Sequence, residues 1–242
     1  MAARRRNSAS SHKAATLPRE DDAAGFVRAH TVIGASVLQP GLKLYLASEI
    51  TPLWQATEAF LAIHNMAPPF WAFAWPGGEA LAHYIAGHPE LVRGKTVLDF
   101  AAGGGIAALA CARAGATRVE AAEIDPLAVA AIRLNAEVNS LTVHPLLGDI
   151  VGTACRWDVI LCGDVCYEAP MTRHIMPWLQ ACAAQIPVLM ADPGRSYSPK
   201  DGFEIIDEIE VPTSLELEDS SARLVRLLRL TPIRNKTSVQ HY

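Results

Sequence analysis

The sequence predicts an α/β fold: a mostly parallel sheet covered by helices on both faces and finished by a C-terminal antiparallel hairpin. Three observations carry this. Strand-length apolar segments alternate with helix-length segments from Thr96 to Ala191, the pattern of a parallel sheet with crossover helices. Phe203–Val211 and Ala222–Leu230 then follow one another with only a loop between them, so they must pair antiparallel. Finally, 242 residues of which 50% are hydrophobic are enough for one well-filled core.

Residues 1–24 read as a disordered basic tail, with Arg4, Arg5, Arg6, Lys13 and Arg19 and no acid through residue 19. An Arg- and Ser-rich transit peptide would look similar. Residues 25–68 read as an extension packed on the main domain. Apolar segments at Val32–Leu38 and Leu42–Leu46 flank a Pro40-Gly41 turn, and a helix is expected over Thr51–His64, with Pro52 in its first turn. The main domain spans 69–232. It opens with the aromatic run Phe70-Trp71-Ala72-Phe73-Ala74-Trp75 and Pro76-Gly77-Gly78, followed by a helix over Glu79–His88. Strands are expected at Thr96–Phe100, Arg118–Glu123, Thr142–Leu147, Trp157–Cys162 and Pro187–Ala191, and helices at Gly105–Ala114, Pro126–Asn139 and Met171–Gln185. Asp125-Pro126 marks a helix start, an N-cap followed by proline at the first position. Residues 233–242 read as a frayed polar tail.

Composition narrows the classes. A formal net charge of −4 with 19% charged residues leaves no basic footprint for nucleic acid, so a protein or small molecule is the expected partner. No apolar run reaches the roughly 18 residues a membrane span needs. The 5 cysteines form no CxxC pair and fall mostly within expected strands and helices, which fits small apolar fillers in a reducing compartment. Cytoplasm is the expected location, with the mitochondrial matrix as the alternative. The histidines show no spacing with Cys or acids that suggests a metal, and none is expected.

The chemistry-bearing stretch is Thr96 to Ala110: a buried strand ending in Asp99-Phe100, the turn Ala101-Ala102-Gly103-Gly104-Gly105, and an alanine-rich helix. An acid followed by small residues and a helix N-terminus suits a nucleoside cofactor. Tight strand-to-helix packing alone uses the same residues.

With its five-stranded parallel core and terminal hairpin, the chain resembles the Rossmann-like, seven-stranded class I S-adenosylmethionine-dependent methyltransferases. Val97 through Gly105 looks like their first motif, with Asp99, Ala101, Gly103 and Gly105 around the methionine part of the cofactor. Ala101 stands where that pattern has glycine, and an alanine is expected to work there by keeping φ below zero. The resemblance implies that Glu123, with Ile124 beside it, binds the ribose hydroxyls; a solvated strand-end acid is the alternative. It implies that Asp149 meets the adenine amino group and Ile150 the ring, although a plain loop aspartate is also compatible.

Phe70 through Gly78, then Leu161-Cys162-Gly163-Asp164-Val165-Cys166-Tyr167-Glu168, then Ala191-Asp192-Pro193-Gly194-Arg195, are similar in kind and order to one family, the electron transfer flavoprotein β-subunit lysine methyltransferases. That resemblance implies a protein-lysine N-methyltransferase acting on the flavoprotein β subunit, without a metal. Asp164 would orient the acceptor amine and Tyr167 shape its channel. Trp75, Gly77 and Gly78 would lie beside the cofactor, and Arg195 is a candidate for holding substrate carboxylates. Two other readings stay open, a ribosomal-protein lysine methyltransferase and a cofactor-binding module without turnover.

Overall fold

The structure is a computed structural model and describes residues 20–47, 68–215 and 218–232. The expected helix over Thr51–His64 and the polar tail from 233 lie outside the described residues. An antiparallel two-stranded ribbon, β1 (Val32–Ala35) and β2 (Lys43–Leu46), precedes a sheet of seven strands. These are β3 (Thr96–Phe100), β4 (Arg118–Glu123), β5 (His144–Leu147), β6 (Val159–Gly163), β7 (Val188–Asp192), β8 (Phe203–Pro212) and β9 (Ala222–Leu230). Their order is β5-β4-β3-β6-β7-β9-β8. The first five in that order run parallel, and β9 joins β7 antiparallel, as the loop-only connection required.

The helices are α1 (Glu20–His30), α2 (Pro76–Gly87), α3 (Ile106–Arg113), α4 (Pro126–Val138) and α5 (Ala169–Ala183). Strand alternation sorts the core into two layers. Val97, Val119, Ala121, Leu161 and Leu189 face α2, α3 and α4, whereas Leu98, Ile160, Cys162, Val188 and Met190 face α5. Among the described residues no helix is long and apolar enough to cross a membrane.

Several expected boundaries move. The expected disordered tail does not reach residue 24, because α1 is helical from Glu20, and residues 1–19 lie outside the described residues; α1 docks on α4 through Ala23 and Val27, one turn apart. The helix expected from Glu79 begins at Pro76 and takes Gly77 and Gly78 into its first turn, since proline is pre-set for that position. Expected strand starts at Thr142 and Trp157 shift to His144 and Val159. Trp157 is buried before its strand begins, its indole N–H donating to Glu120 at 2.8 Å.

Buried polar side chains fasten the N-terminal ribbon. Glu79 of α2 is 1% exposed and accepts from the Ser36 hydroxyl at 2.6 Å and from the N–H groups of Val37 and Leu38 at 3.0 and 3.1 Å. Asn135 on α4 and the partly buried Asn139, its C-cap one turn later, accept from the N–H groups of Tyr45 and Lys43 at 2.7 and 2.9 Å. These bonds pair backbone groups of β2 that its one partner strand leaves free.

Candidate active site

Strand order reverses at β3, which has β4 on one side and β6 on the other. Ligands of open α/β sheets bind at the carboxyl edge of such a switch point. A cleft of about 670 Å³ opens there, lined by Trp75, Ala101, Gly103, Glu123, Ile124, Asp149, Ile150, Asp164, Tyr167 and Arg195. Asp99 and Gly78 border a smaller recess of about 50 Å³ behind the glycine turn, and Gly77 and Gly105 line neither space.

The turn after β3 is built from left-handed backbone: φ is 54° at Ala101, 54° at Gly103 and 79° at Gly105. The expectation of a negative φ at Ala101 is therefore wrong. The turn needs the left-handed region there to bring the chain from β3 into α3, and alanine occupies it at roughly 1–2 kcal/mol of strain. Gly104 answers a different demand, since a Cβ would lie 2.9 Å from the carbonyl oxygen of Trp71. Its own carbonyl accepts from Asn135 Nδ2 at 2.8 Å, so the residue holding β2 also holds this turn.

Burial governs the acids. Asp99 is 3% exposed, accepts from the Ala108 N–H in the first turn of α3 at 2.9 Å, and is pushed up to about 7 by desolvation. Glu123, at the end of β4, accepts from Gly103 N–H at 2.6 Å and Ile124 N–H at 3.0 Å. Burial also lifts Glu123 to about 7, against the downward pull of those N–H groups. Asp125 is the N-cap, accepting from Leu127 N–H at 2.8 Å. Asp149 is held below the usual carboxylate range by the Val151 N–H and by His174, whose Nε2 lies 2.7 Å away.

Asp164 follows β6 with φ at 57°, a second non-glycine residue in the left-handed region on this cleft. Its Oδ2 accepts from Gly77 N–H at 2.5 Å, and a Cβ on Gly77 would collide with that carboxylate. Gly77 thus serves Asp164. Asp164 Oδ1 accepts from Arg195 Nε at 2.9 Å and Nη2 at 2.6 Å. Burial raises its pKa to about 6, with Arg195 and Gly77 pulling the other way. The wall beside it is aromatic. Phe70 lies 5.4 Å from Tyr167 and 6.0 Å from Trp75 between ring centroids, and Trp75 Nε1 donates to Phe70 O at 2.8 Å.

Arg195, expected to reach for substrate carboxylates, is already engaged. It binds Asp164 and also Glu218, from the loop between β8 and β9, at 2.6 Å. Its guanidinium carbon sits 5.7 Å from the Trp75 ring centroid. Sequence reading missed Glu79, Asn135 and Glu218. Glu79 and Asn135 were visible as lone polar residues among the buried positions of α2 and α4; nothing in the sequence set Glu218 apart from its acidic neighbours.

Aromatic wall, strand-end acids and glycine turn at the switch point of this sheet define a class I S-adenosylmethionine-dependent methyltransferase. The cleft has room for a nucleoside with its amino-acid arm, and the Glu123 carboxylate lines it. A solved protein of Pyrococcus horikoshii, proposed to be an RNA methyltransferase, shares the fold: the TM-score is 0.50 and the identity 19%, over 69% of this chain and 90% of that one. Residues 85–164 match the family model of ribosomal protein L11 methyltransferases. The electron transfer flavoprotein beta subunit lysine methyltransferase of Danio rerio is 36% identical over 209 residues, 83% of this chain and 80% of that protein. Its human counterpart is 38% identical over 168 residues, 68% and 63% of the two chains. The chain belongs to the electron transfer flavoprotein β-subunit lysine methyltransferase family.

Proposed function

We propose that this enzyme transfers a methyl group from S-adenosylmethionine to a lysine side chain of the electron transfer flavoprotein β subunit. The observation carrying the reading is Asp164, fixed at the sheet edge beside the aromatic wall of Phe70, Trp75 and Tyr167. Bound S-adenosylmethionine supplies an electrophilic methyl on a sulfonium sulfur, so the protein must align an amine with it and present that amine neutral. A free lysine with a pKa of about 10.4 is neutral only about once in a few thousand molecules at pH 7. The aromatic wall and the sulfonium charge both disfavour ammonium. Asp164 accepts a hydrogen bond from the amine and sets its lone pair toward the methyl. Its bonds to Gly77 and Arg195 suit it to orientation rather than to strong-base work.

On the cofactor side, Glu123 accepts from the ribose hydroxyls, Asp149 and Ile150 flank the adenine, and the turn through Asp99, Ala101, Gly103 and Gly105 surrounds the methionine arm. A second reading has one specific support. The ribosomal protein L11 methyltransferase of Thiobacillus denitrificans is 45% identical over 116 residues, though these are 46% of this chain and 38% of that protein. Incubation with labelled cofactor, purified flavoprotein subunits and ribosomal proteins, followed by mapping of the labelled residue, separates the two. Label on a β-subunit lysine is expected; label confined to ribosomal protein overturns the substrate.

A further inference from the structure

The terminal hairpin does more than close the sheet. Glu218 on its loop has a side chain only 4% exposed and reaches Arg195 with both oxygens, at 2.6 Å to Nη2 and 3.3 Å to Nη1. Arg195 Nη2 stands 2.6 Å from Asp164 Oδ1 as well, so one guanidinium is clamped between two buried carboxylates. Arg223 Nε holds Glu218 from behind at 3.1 Å, and Arg223 pairs in turn with Asp219.

The charge at this place needs explaining. The proposed reaction brings a sulfonium and a lysine to Asp164, and an uncompensated arginine beside them has the wrong sign for both. It would also claim Asp164 for itself. We infer that Glu218 is a positioning residue for the amine site: it shares the charge of Arg195, leaving Asp164 fixed in place yet free to attract the amine. This inference rests on the proposed lysine methylation.

Arg195 and Glu218 are the charged groups that act on Asp164 from the turn after β7 and from the hairpin loop. Gly77 N–H faces it from α2, while Tyr167 and Glu123 line the same cleft. Asp192 is turned instead to Arg226 and Ser198.

Glu218→Gln keeps the size and removes the charge. At pH 7 it should lower kcat about tenfold or more while cofactor Kd stays within about threefold. The acid limb of kcat against pH should move to lower pH, because the Glu218 charge helps keep the Asp164 pKa high. In an Arg195→Met background the same change should do little more, since the cation it offsets is gone. A substrate-free readout is the carboxyl carbon-13 titration of Asp164 in the cofactor-bound protein, whose midpoint should fall in Glu218→Gln. An unmoved midpoint, or an equal loss in both backgrounds, overturns the inference. Failure of wild-type enzyme to label the β subunit sinks the substrate alone, and the titration still judges Glu218. Should Glu218→Gln not fold, Glu218→Asp, which keeps the charge, must retain the wild-type midpoint.

Discussion

In the proposed function, Glu123 should couple cofactor affinity to pH. With its pKa raised to about 7 by burial, it is half protonated near neutrality in the cofactor-free protein. The ionised form is the better acceptor for two hydroxyls, so affinity should weaken about tenfold per pH unit below 7. Calorimetric titration between pH 5.5 and 8 checks this, and Glu123→Gln should bind weakly with a flat profile. Asp164→Asn keeps the volume but loses the charge that attracts the amine; kcat should fall about a hundredfold or more, with cofactor Kd within a few-fold. An equal loss of binding would contradict its role. Ala101→Gly relieves a left-handed alanine and should raise stability by about 1 kcal/mol, seen as a higher melting temperature.

Asn135 shows how an element inherits function from its neighbours. Asparagine supplies a donor for Gly104 O and an acceptor for Tyr45 N–H from one buried side chain, linking β2 to the glycine turn. Asn135→Ala leaves both partners unpaired and should cost about 1–3 kcal/mol, raising the KM for cofactor more than it lowers kcat. Elements with a full period were legible in the sequence: β3, β4, α3, α4 and the terminal pair came out within a few residues. Helix α1 was not, because its fully buried contact is only Ala23 and Val27, with Ala24 and Phe26 partly buried, a stripe too thin to stand out from a charged segment. The site divides the same way. Asp99, Glu123 and Asp164 were legible because each sits at a strand end, where the topology fixes its direction. The clamp on Arg195 was not, since it depends on a hairpin loop folding back to the sheet edge, a distance no local pattern records.

Across the whole molecule, Asp99, Glu123 and Asp164 all have folded pKa values above their unfolded ones. The folded state therefore holds more protons, and the stability these groups contribute is fully present below the unfolded values of 3.8 to 4.5 and is lost as pH rises from there through about 6 to 7. Glu120, bound by Arg118, Arg156 and Trp157, is lowered and acts in the opposite sense, below its usual range. Between pH 5 and 8 the three raised acids dominate. The cofactor-free protein should melt higher at pH 5.5 than at 7.5, and Glu123→Gln should narrow the difference.

Helix α2 meets both peripheral parts of the chain. Glu79 receives the loop after β1, while Gly77 N–H is tied through Asp164 and Arg195 to Glu218 in the last hairpin. Trimming the protein to its parallel strands and their helices would keep a recognisable sheet but release both attachments at the first turn of α2. The smallest active fragment is accordingly longer than the smallest folded one: it must begin before Ser36 and end beyond Glu218, and protease nicking at either margin should silence the enzyme before it unfolds it.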